Sequence, residues 1–180
     1  MGKGFMSIHR STSRLAAFAA LLFMVAEPSL GTADAALGSP RGEAVLTVMG
    51  NVGVHNAGAT AVFDHDMLDA LPQREIRTST EWTDGVKVFR GPLVSDVLAA
   101  ARASGNVAVA TALNDYSVEI PVSDFSAYPV ILATSMDGET LTVRNKGPLW
   151  IVYPRDDYAE LRNSEMNSRW IWQLRSLEIR

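Results

Sequence analysis

Short strand-like segments separated by turn-forming residues make up most of the chain from residue 44 onward, and this feature limits the fold most. Each segment alternates apolar with polar residues or forms a brief apolar run, and glycine, proline, asparagine or aspartate stands near its ends. This pattern is typical of β-strands. Strands are predicted at 44–50, 74–82, 86–89, 107–113, 116–122, 129–134, 148–154 and 170–179.

Two short helices are predicted among these strands. The first covers 64–72, because Asp64 is a good helix cap and a proline ends the segment. The second covers 93–103, where apolar residues recur at helical spacing. Asp84 and Gly85 are predicted to form the turn of a hairpin. The chain shows no repeat or linker, so these segments predict a single compact α+β domain that is mainly β.

The first 35 residues have the pattern of an export signal. Basic residues come first, an apolar run of 12 residues covers 15–26, and small residues follow at 33–35. A membrane-spanning helix needs about 20 apolar residues, so the run is too short to be a span. We expect a signal peptide at 1–35, a domain at 36–180 and a periplasmic location. An uncleaved N-terminal anchor is the alternative.

Composition excludes several classes of site. The chain has a net charge of -4 and no cluster of basic residues, so it lacks the electrostatic footprint of a nucleic-acid-binding protein. It has no cysteine, and therefore no thiolate nucleophile, redox pair or soft metal ligand. His55 and His65 lack the partner set of a zinc site, and no common hydrolase or nucleotide-binding motif occurs. We therefore expect no metal site.

Three segments follow one another along the chain in a recognisable order. They are FRGPLVSDVLAAA at 89–101, MDGETLTVRNKGPLWIVYPRDDY at 136–158 and NSRWIWQLRSLEI at 167–179. Together they resemble the molybdopterin-binding domain of the sulfite oxidase family. The resemblance covers nearly all of the chain after the predicted signal peptide, and it implies the sulfite oxidase-type molybdopterin-binding fold.

One departure from that family concerns the metal. In the molybdenum-bearing relatives, the strand before the first segment ends in a cysteine that ligates the metal, whereas Glu81 and Trp82 stand near that position here. Neither a carboxylate nor an indole supplies the soft electron donation of a thiolate. The resemblance therefore implies a pterin-shaped site that has no tightly bound cofactor and takes a pterin as its ligand. In the alternative, Glu81 supports the metal and the chain is a molybdopterin-dependent oxidoreductase.

A flat pterin needs an aromatic platform and a polar group that reads its guanine-like edge. Trp82 is the candidate platform, because it ends a polar strand, and packing on the core is its structural alternative. In the predicted turn after strand 107–113, Asp115 is a candidate for reading the edge and Tyr116 for covering a face of the ring. Asn114 belongs to the same group, although it is also an ordinary turn former.

Further candidates follow the predicted strand at 148–154. Tyr153 lies at the end of that strand, and Arg155 and Asp157 lie at the start of a polar loop that is expected to continue to about Ser168; loops on a rigid scaffold are where binding groups concentrate. A solvated charged loop is the alternative. The acid that reads the pterin edge is expected to be Asp115 or Asp157.

A last group of candidates precedes the final predicted strand. Ser168 and Arg169, with Asn167 before them, match positions that lie beside the pterin in the relatives. Trp170 follows and is a candidate as well, whereas Trp172 is expected to pack in the sheet or core, as is Trp150.

The resemblance implies a non-catalytic, periplasmic pterin-binding protein. Exported relatives without the cysteine resemble accessory sensors, which relay ligand occupancy to a membrane-bound signalling partner such as a cyclic diguanylate cyclase or phosphodiesterase. A ligand that orders the loops of one state can alter a surface that faces the partner. The alternatives are the oxidoreductase and a structural subunit whose vestigial pocket binds no small molecule.

Overall fold

The computed structural model describes residues 1–2 and 37–180. Apart from its first two residues, the predicted signal peptide lies outside the described residues. Among those that are described, no helix is long and apolar enough to cross a membrane.

The largest sheet has five strands in the order β2, β1, β11, β5, β6. Strand β1 pairs in parallel with β11, and every other neighbouring pair is antiparallel. Residues of β1 and β5 are alternately buried, so one face of the sheet covers the core. The strands are β1 (Leu46–Gly50), β2 (Ala61–Phe63), β5 (Val107–Ala112), β6 (Ser117–Pro121) and β11 (Leu174–Ile179).

Two smaller sheets complete the β-structure. One is built on a long hairpin and has the order β3, β4, β8, β9. The other is an antiparallel pair of β7 and β10, in which every residue is buried. The strands are β3 (Gln73–Thr80), β4 (Thr83–Pro92), β7 (Ile131–Ala133), β8 (Ser135–Met136), β9 (Glu139–Thr140) and β10 (Trp150–Val152).

The helices are short, and two of them begin at residues that cap them. Asp64 Oδ1 accepts a hydrogen bond from the Met67 amide at 2.9 Å, and Asn163 Oδ1 accepts one from the Met166 amide at 2.9 Å. The α-helices are α1 (His65–Asp69), α2 (Val94–Ala100), α3 (Asp124–Ala127) and α4 (Ser164–Ser168), and single 3₁₀ turns cover Val143–Asn145 and Ala159–Leu161.

The expectation of a mainly β, α+β domain is confirmed, and residues 37–180 lie within one compact unit, Ala35–Arg180. The position of the hairpin turn was predicted wrongly. The turn is formed by Glu81 and Trp82, while Asp84 and Gly85 form a bulge in β4, with Gly85 at φ +66°. An Asp-Gly pair suits a bulge as well as a turn, because glycine adopts positive φ without strain.

Two further predictions differ near the C-terminus. The loop that was expected to continue to about Ser168 contains helix α4. The final strand begins at Leu174 instead of at 170, because the preceding residues turn, with Gln173 at φ +52°. This irregular segment carries Trp170 and Trp172 away from the main sheet ladder.

Gly91 lies where β4 crosses β7 at close range, which gives a test of the packing. A methyl group at this position would lie 2.0 Å from the Leu132 carbonyl oxygen, so the two strands would have to separate. We expect Gly91→Ala to lower the free energy of unfolding by about 3 kcal/mol in urea titrations. Gly38→Ala is the matched control, because no atom lies within 4 Å of its added carbon. Equal stability of the two variants would contradict this description of the contact.

Candidate functional site

All four tryptophans of the chain meet in one cluster. The ring of Trp82 lies 5.2 Å from that of Trp172, 6.1 Å from that of Trp170 and 6.5 Å from that of Trp150, measured between centroids. Most pairs are edge-to-face or tilted, the arrangement that aromatic quadrupoles favour. The tip of the β3–β4 hairpin, strand β10 and the segment between α4 and β11 supply these residues, so the cluster joins three distant parts of the sequence.

The cluster has an inner and an outer part. Trp150 and Trp170 are buried, and Trp150 packs on Phe89 with a centroid distance of 5.2 Å. Trp82 and Trp172 are half-buried. Part of each residue is therefore exposed, and Lys146 Nζ lies over the Trp172 ring, 4.9 Å from its centroid.

A cavity of about 280 Å³ opens beside the outer part of the cluster. Such a volume suits a ligand of one or two fused rings, since sites for drug-sized molecules begin near about 300 Å³. None of the nine lining residues carries a charged side chain. They are Trp82, Ala112, Asn114, Tyr116, Asn167, Ser168, Trp170, Ile171 and Trp172.

Five of the ten predicted ligand residues line this cavity: Trp82, Asn114, Tyr116, Ser168 and Trp170. The β5–β6 turn places Tyr116 at the rim, where 52% of its surface is exposed. Asn114 Oδ1 accepts a hydrogen bond from the Tyr116 amide at 3.1 Å, so it also shapes the turn that carries the ring.

Two polar atoms on the lining residues are buried without a hydrogen-bond partner among the described residues. They are the Nε1 donor of Trp170 and the Oδ1 acceptor of Asn167. Buried polar atoms in folded proteins are nearly always paired, so these two atoms, which are closed to the cavity as well as to bulk water, are exceptions to that pattern.

A larger groove of about 760 Å³ lies along β1 and the segment after β9. It borders Glu43, Asp66, Leu113, Val143 and Arg175 among others, and none of the ten predicted ligand residues lines it. Because the aromatic cluster does not border this groove, the smaller cavity is the better candidate for binding a flat ring.

The two predicted edge-reading acids lie elsewhere. Asp115, in the left-handed conformation at φ +67°, forms an exposed ion pair of 2.6 Å with Arg175. Asp157 is exposed in the loop after β10. Neither carboxylate lines the cavity.

Tyr153 and Arg169 belong to a buried network below the cluster. The Tyr153 hydroxyl donates to Asp124 Oδ2 at 2.9 Å, and Arg169 Nη1 donates to the same oxygen at 2.5 Å. Burial, and then the charge of Asp124, raise the pKa of Tyr153, so this hydroxyl stays protonated. Burial opposes the charge of Arg169, but its hydrogen bond to Asp124 raises the pKa of the guanidinium.

Arg155 and its neighbour Asp156 hold the tip of the hairpin that carries Trp82. Arg155 Nη2 pairs with Glu81 at 2.7 Å. Asp156 accepts hydrogen bonds from the amide and the hydroxyl of Ser79, at 2.6 and 2.7 Å. These contacts fix Ser79 and Glu81, which flank Thr80 at the end of β3. The loop after β10 therefore holds the ring of Trp82 in position.

Asp156 also makes a pH-dependent contribution to stability. Burial alone would raise the pKa of Asp156, but the hydrogen bonds from Ser79 and the charges of Arg162 and Arg155 hold it below its ordinary value of 3.8. When folding lowers the pKa of a carboxyl group, the charged group stabilises the fold fully at pH values above its ordinary pKa. This stabilisation is lost as the pH falls through the lower pKa of the folded state.

We therefore expect Asp156→Asn to have a lower melting temperature than the wild type at pH 7. The difference should shrink as the pH is lowered from 4 towards 2, and thermal melts across this range measure it. Asp157→Asn, at the exposed neighbouring position, is the control and should change the melting temperature little. A gap between Asp156→Asn and the wild type that is the same at every pH would contradict the role of the charge.

Of the other four lining residues, Asn167 was noted beside Ser168 without being one of the ten candidates, and sequence reasoning missed three: Ala112, Ile171 and Trp172. A signal was available for Trp172, because residues two apart in an extended segment lie on the same side, which groups it with Trp170. The other two are small or apolar residues that nothing in the sequence distinguishes from core positions.

Comparison with known proteins gives two similarities. Residues 72–159 match the family model described as "Oxidoreductase molybdopterin binding domain". Among solved structures, the chain is similar to the sulfane dehydrogenase SoxCD from Paracoccus pantotrophus, with 19% identity and a TM-score of 0.55. This likeness covers 74% of the present chain and only 37% of that chain. The comparison with curated proteins gives no match.

Proposed function

Because residues 72–159 of this chain belong to the oxidoreductase molybdopterin-binding domain family, we propose that its aromatic cavity binds a pterin. The observation that carries the proposal is an uncharged cavity of about 280 Å³ walled by Trp82, Trp172 and Tyr116. A pterin is flat and apolar on both faces, and flat heterocycles stack on aromatic side chains. The family model confirms the resemblance to this domain family over residues 72–159, and the likeness to a solved structure supports the fold.

The molybdenum of the family cofactor does not fit the residues present. The chain contains no cysteine, so it has no thiolate to offer the metal. Glu81, the carboxylate nearest the expected ligand position, is paired with Arg155. Within the described part of the chain, no group of three or more histidines and acids is arranged to hold a metal ion. The residues present therefore support a site that binds the pterin ring without metal chemistry.

We propose further that the protein is non-catalytic and works in the periplasm as a sensor. Occupancy of the cavity would order the exposed ring of Tyr116 at the rim, which presents surface to a partner. A ligand that prefers the ordered state shifts the population towards it. The partner of this proposal is the periplasmic domain of a membrane-bound signalling protein, such as a cyclic diguanylate cyclase or phosphodiesterase.

Titration of the purified protein with reduced and oxidised pterins tests the binding. Tryptophan fluorescence should be quenched, because all four tryptophans lie in or against the site, and calorimetry should give one site per chain. The absence of heat and quenching at high micromolar pterin would refute the proposed function and favour a structural subunit.

The molybdopterin-dependent oxidoreductase is the second candidate, and the family membership favours it. Elemental analysis of protein isolated from its native compartment separates the two functions. Near-equal molar amounts of molybdenum and protein would support the oxidoreductase, whereas pterin binding without molybdenum would support the sensor.

A further inference from the structure

We propose that two copies of this chain associate through the free edge of β3, so that their hairpin sheets join into one antiparallel sheet. Strand β3 (Gln73–Thr80) is an outer strand of the sheet β3, β4, β8, β9 and pairs only with β4. No residue of β3 lines the aromatic cavity, so the inference goes beyond the proposed function and does not depend on pterin binding.

The hydrogen bonds of β4 show which main-chain groups of β3 face outward. The N–H and C=O of Val88 and the C=O of Arg90 bond to the segment 134–137, on the side of β4 that faces away from β3. Val88 lies opposite Arg77, and Arg90 lies opposite Glu75. Two residues opposite each other in an antiparallel pair either bond to each other or both face away. The N–H and C=O groups of Glu75 and Arg77 therefore point towards the free edge.

This edge is open over a short stretch. Beyond the β3–β4 ladder, the N–H and C=O groups of Glu75 and Arg77 have no hydrogen bond in the described part of the chain, and both residues are exposed. The loop after β10 covers only the end of the edge, where the Ser79 amide donates to Asp156 Oδ2 at 2.6 Å. A row of unpaired main-chain groups is a template for another strand.

The other outer strands offer less than β3 does. Strands β2 and β9 have three and two residues. Strand β6 has five, but one of them is Pro121, which has no N–H to donate. Strand β3 has eight residues, and its free edge is therefore the best place for a second strand to pair.

The charges on this edge select a second copy of the chain and one register of pairing. With a twofold axis at Ile76, Glu75 lies opposite Arg77 of the second copy, and Arg77 lies opposite its Glu75. A shift to an axis at Glu75 or at Arg77 sets two like charges opposite each other instead. Opposite charges directly across a pair of strands are favourable and like charges are unfavourable. The edge is thus complementary to itself, as a twofold interface requires.

Charged residues on an outer strand commonly prevent association, and this is the alternative role for Glu75 and Arg77. Like charges would repel a second copy in every register, whereas a pair of opposite sign leaves one register attractive. Neither side chain forms an ion pair or a hydrogen bond within the described part of the chain, although the charge of Arg77 acts on Asp137. Both charges therefore stay available to a second copy.

Sedimentation velocity of the purified protein, from low to high micromolar concentration, tests the dimer. The wild type should shift from monomer to dimer as its concentration rises, and added salt should weaken the dimer, because exposed charges are screened. Glu75→Arg, or Arg77→Glu, sets like charges opposite each other at two places and should weaken association by about 10-fold to 100-fold. Glu139→Arg is the control, because this exposed acid lies on β9 at the other edge of the same sheet. It should dimerise like the wild type.

A mixture of the two weakened variants tests the register. Each copy of Glu75→Arg meets opposite charges on Arg77→Glu at both positions, so a heterodimer should form with nearly the affinity of the wild type. Failure of the mixture to associate would overturn the proposed pairing. A wild type that stays monomeric at high micromolar concentration would overturn it too, as would Glu75→Arg that dimerises as tightly as the wild type. Circular dichroism establishes that each variant is folded.

Discussion

Trp82→Ala should weaken pterin binding by about 5-fold to 150-fold, the equivalent of losing roughly 1 to 3 kcal/mol of ring stacking. The residue stands at the tip of the β3–β4 hairpin, half-buried and against Trp172 on one side. The buried rings of Trp150 and Trp170 remain below it, so the core should persist. Calorimetric titration with pterin measures the change in affinity, and thermal melting measures the fold.

Two controls accompany this variant. Trp82→Phe keeps an aromatic face and should retain most of the affinity. Val86→Ala lies on the same hairpin at a side chain that is 56% exposed and outside the cavity, so it should bind like the wild type. If Trp82→Ala binds pterin as tightly as Val86→Ala, the hairpin tip is not the platform and the ring must lie elsewhere.

Arg169→Met should destabilise the fold by about 3 to 5 kcal/mol, because it leaves the carboxylate of Asp124 buried without its counter-charge. The side chains of the pair are only 14% and 11% exposed, and the Tyr153 hydroxyl shares the same oxygen. Urea unfolding measures the loss. The effect is far larger than that of an ordinary surface ion pair, which contributes about 0 to 1 kcal/mol.

Arg175→Met is the matched control for this prediction. It removes the same kind of side chain from the exposed pair with Asp115, where the exposed fractions are 46% and 80%. Combining Arg169→Met with Asp124→Asn should recover much of the stability, since the amide oxygen still accepts from Tyr153 and no charge stays buried. Equal losses for Arg169→Met and Arg175→Met would contradict the buried character of the first pair.

Most of the strands could be predicted from local pattern alone. The alternation at 107–113 and 116–122, with Asn114 and Asp115 between them, corresponds to β5, β6 and their turn. The cap at Asp64 correctly marks the start of α1. Such features depend on residues close in sequence, where turn chemistry and periodicity act directly.

Local pattern could not predict the position of the hairpin turn or the meeting of the tryptophans, because both depend on contacts between distant segments. The hairpin turns at Glu81 because Arg155 and Asp156, more than seventy positions later, bind the strand end around Ser79. The same long-range contacts bring Trp82 to the other tryptophans. Helix α4 is a different case, because its capping residue Asn163 is a local signal of the kind that marks the start of α1.

The candidate site likewise has residues that could be predicted from the sequence and residues whose roles could not. Aromatic and small polar residues of the cavity, such as Trp82 and Tyr116, were found from residue type and the family resemblance. The roles of the charged candidates were not accessible, because a sequence does not show that Asp115 meets Arg175 or that Arg169 meets Asp124. Charged side chains are satisfied by whichever partner the fold brings near.

The place of β11 in the main sheet sets an order of events for the newly made chain. This strand lies between β1 and β5, and it pairs Thr47 with Ser176. Until residues 174–179 have been synthesised, the two halves of the sheet have no strand to join them, and their edges stay open. Contacts between such distant residues slow folding, and open edges favour aggregation. Pairing of the two halves of this sheet therefore waits until residues 174–179 have been synthesised, and a nascent chain needs protection of its open edges until then.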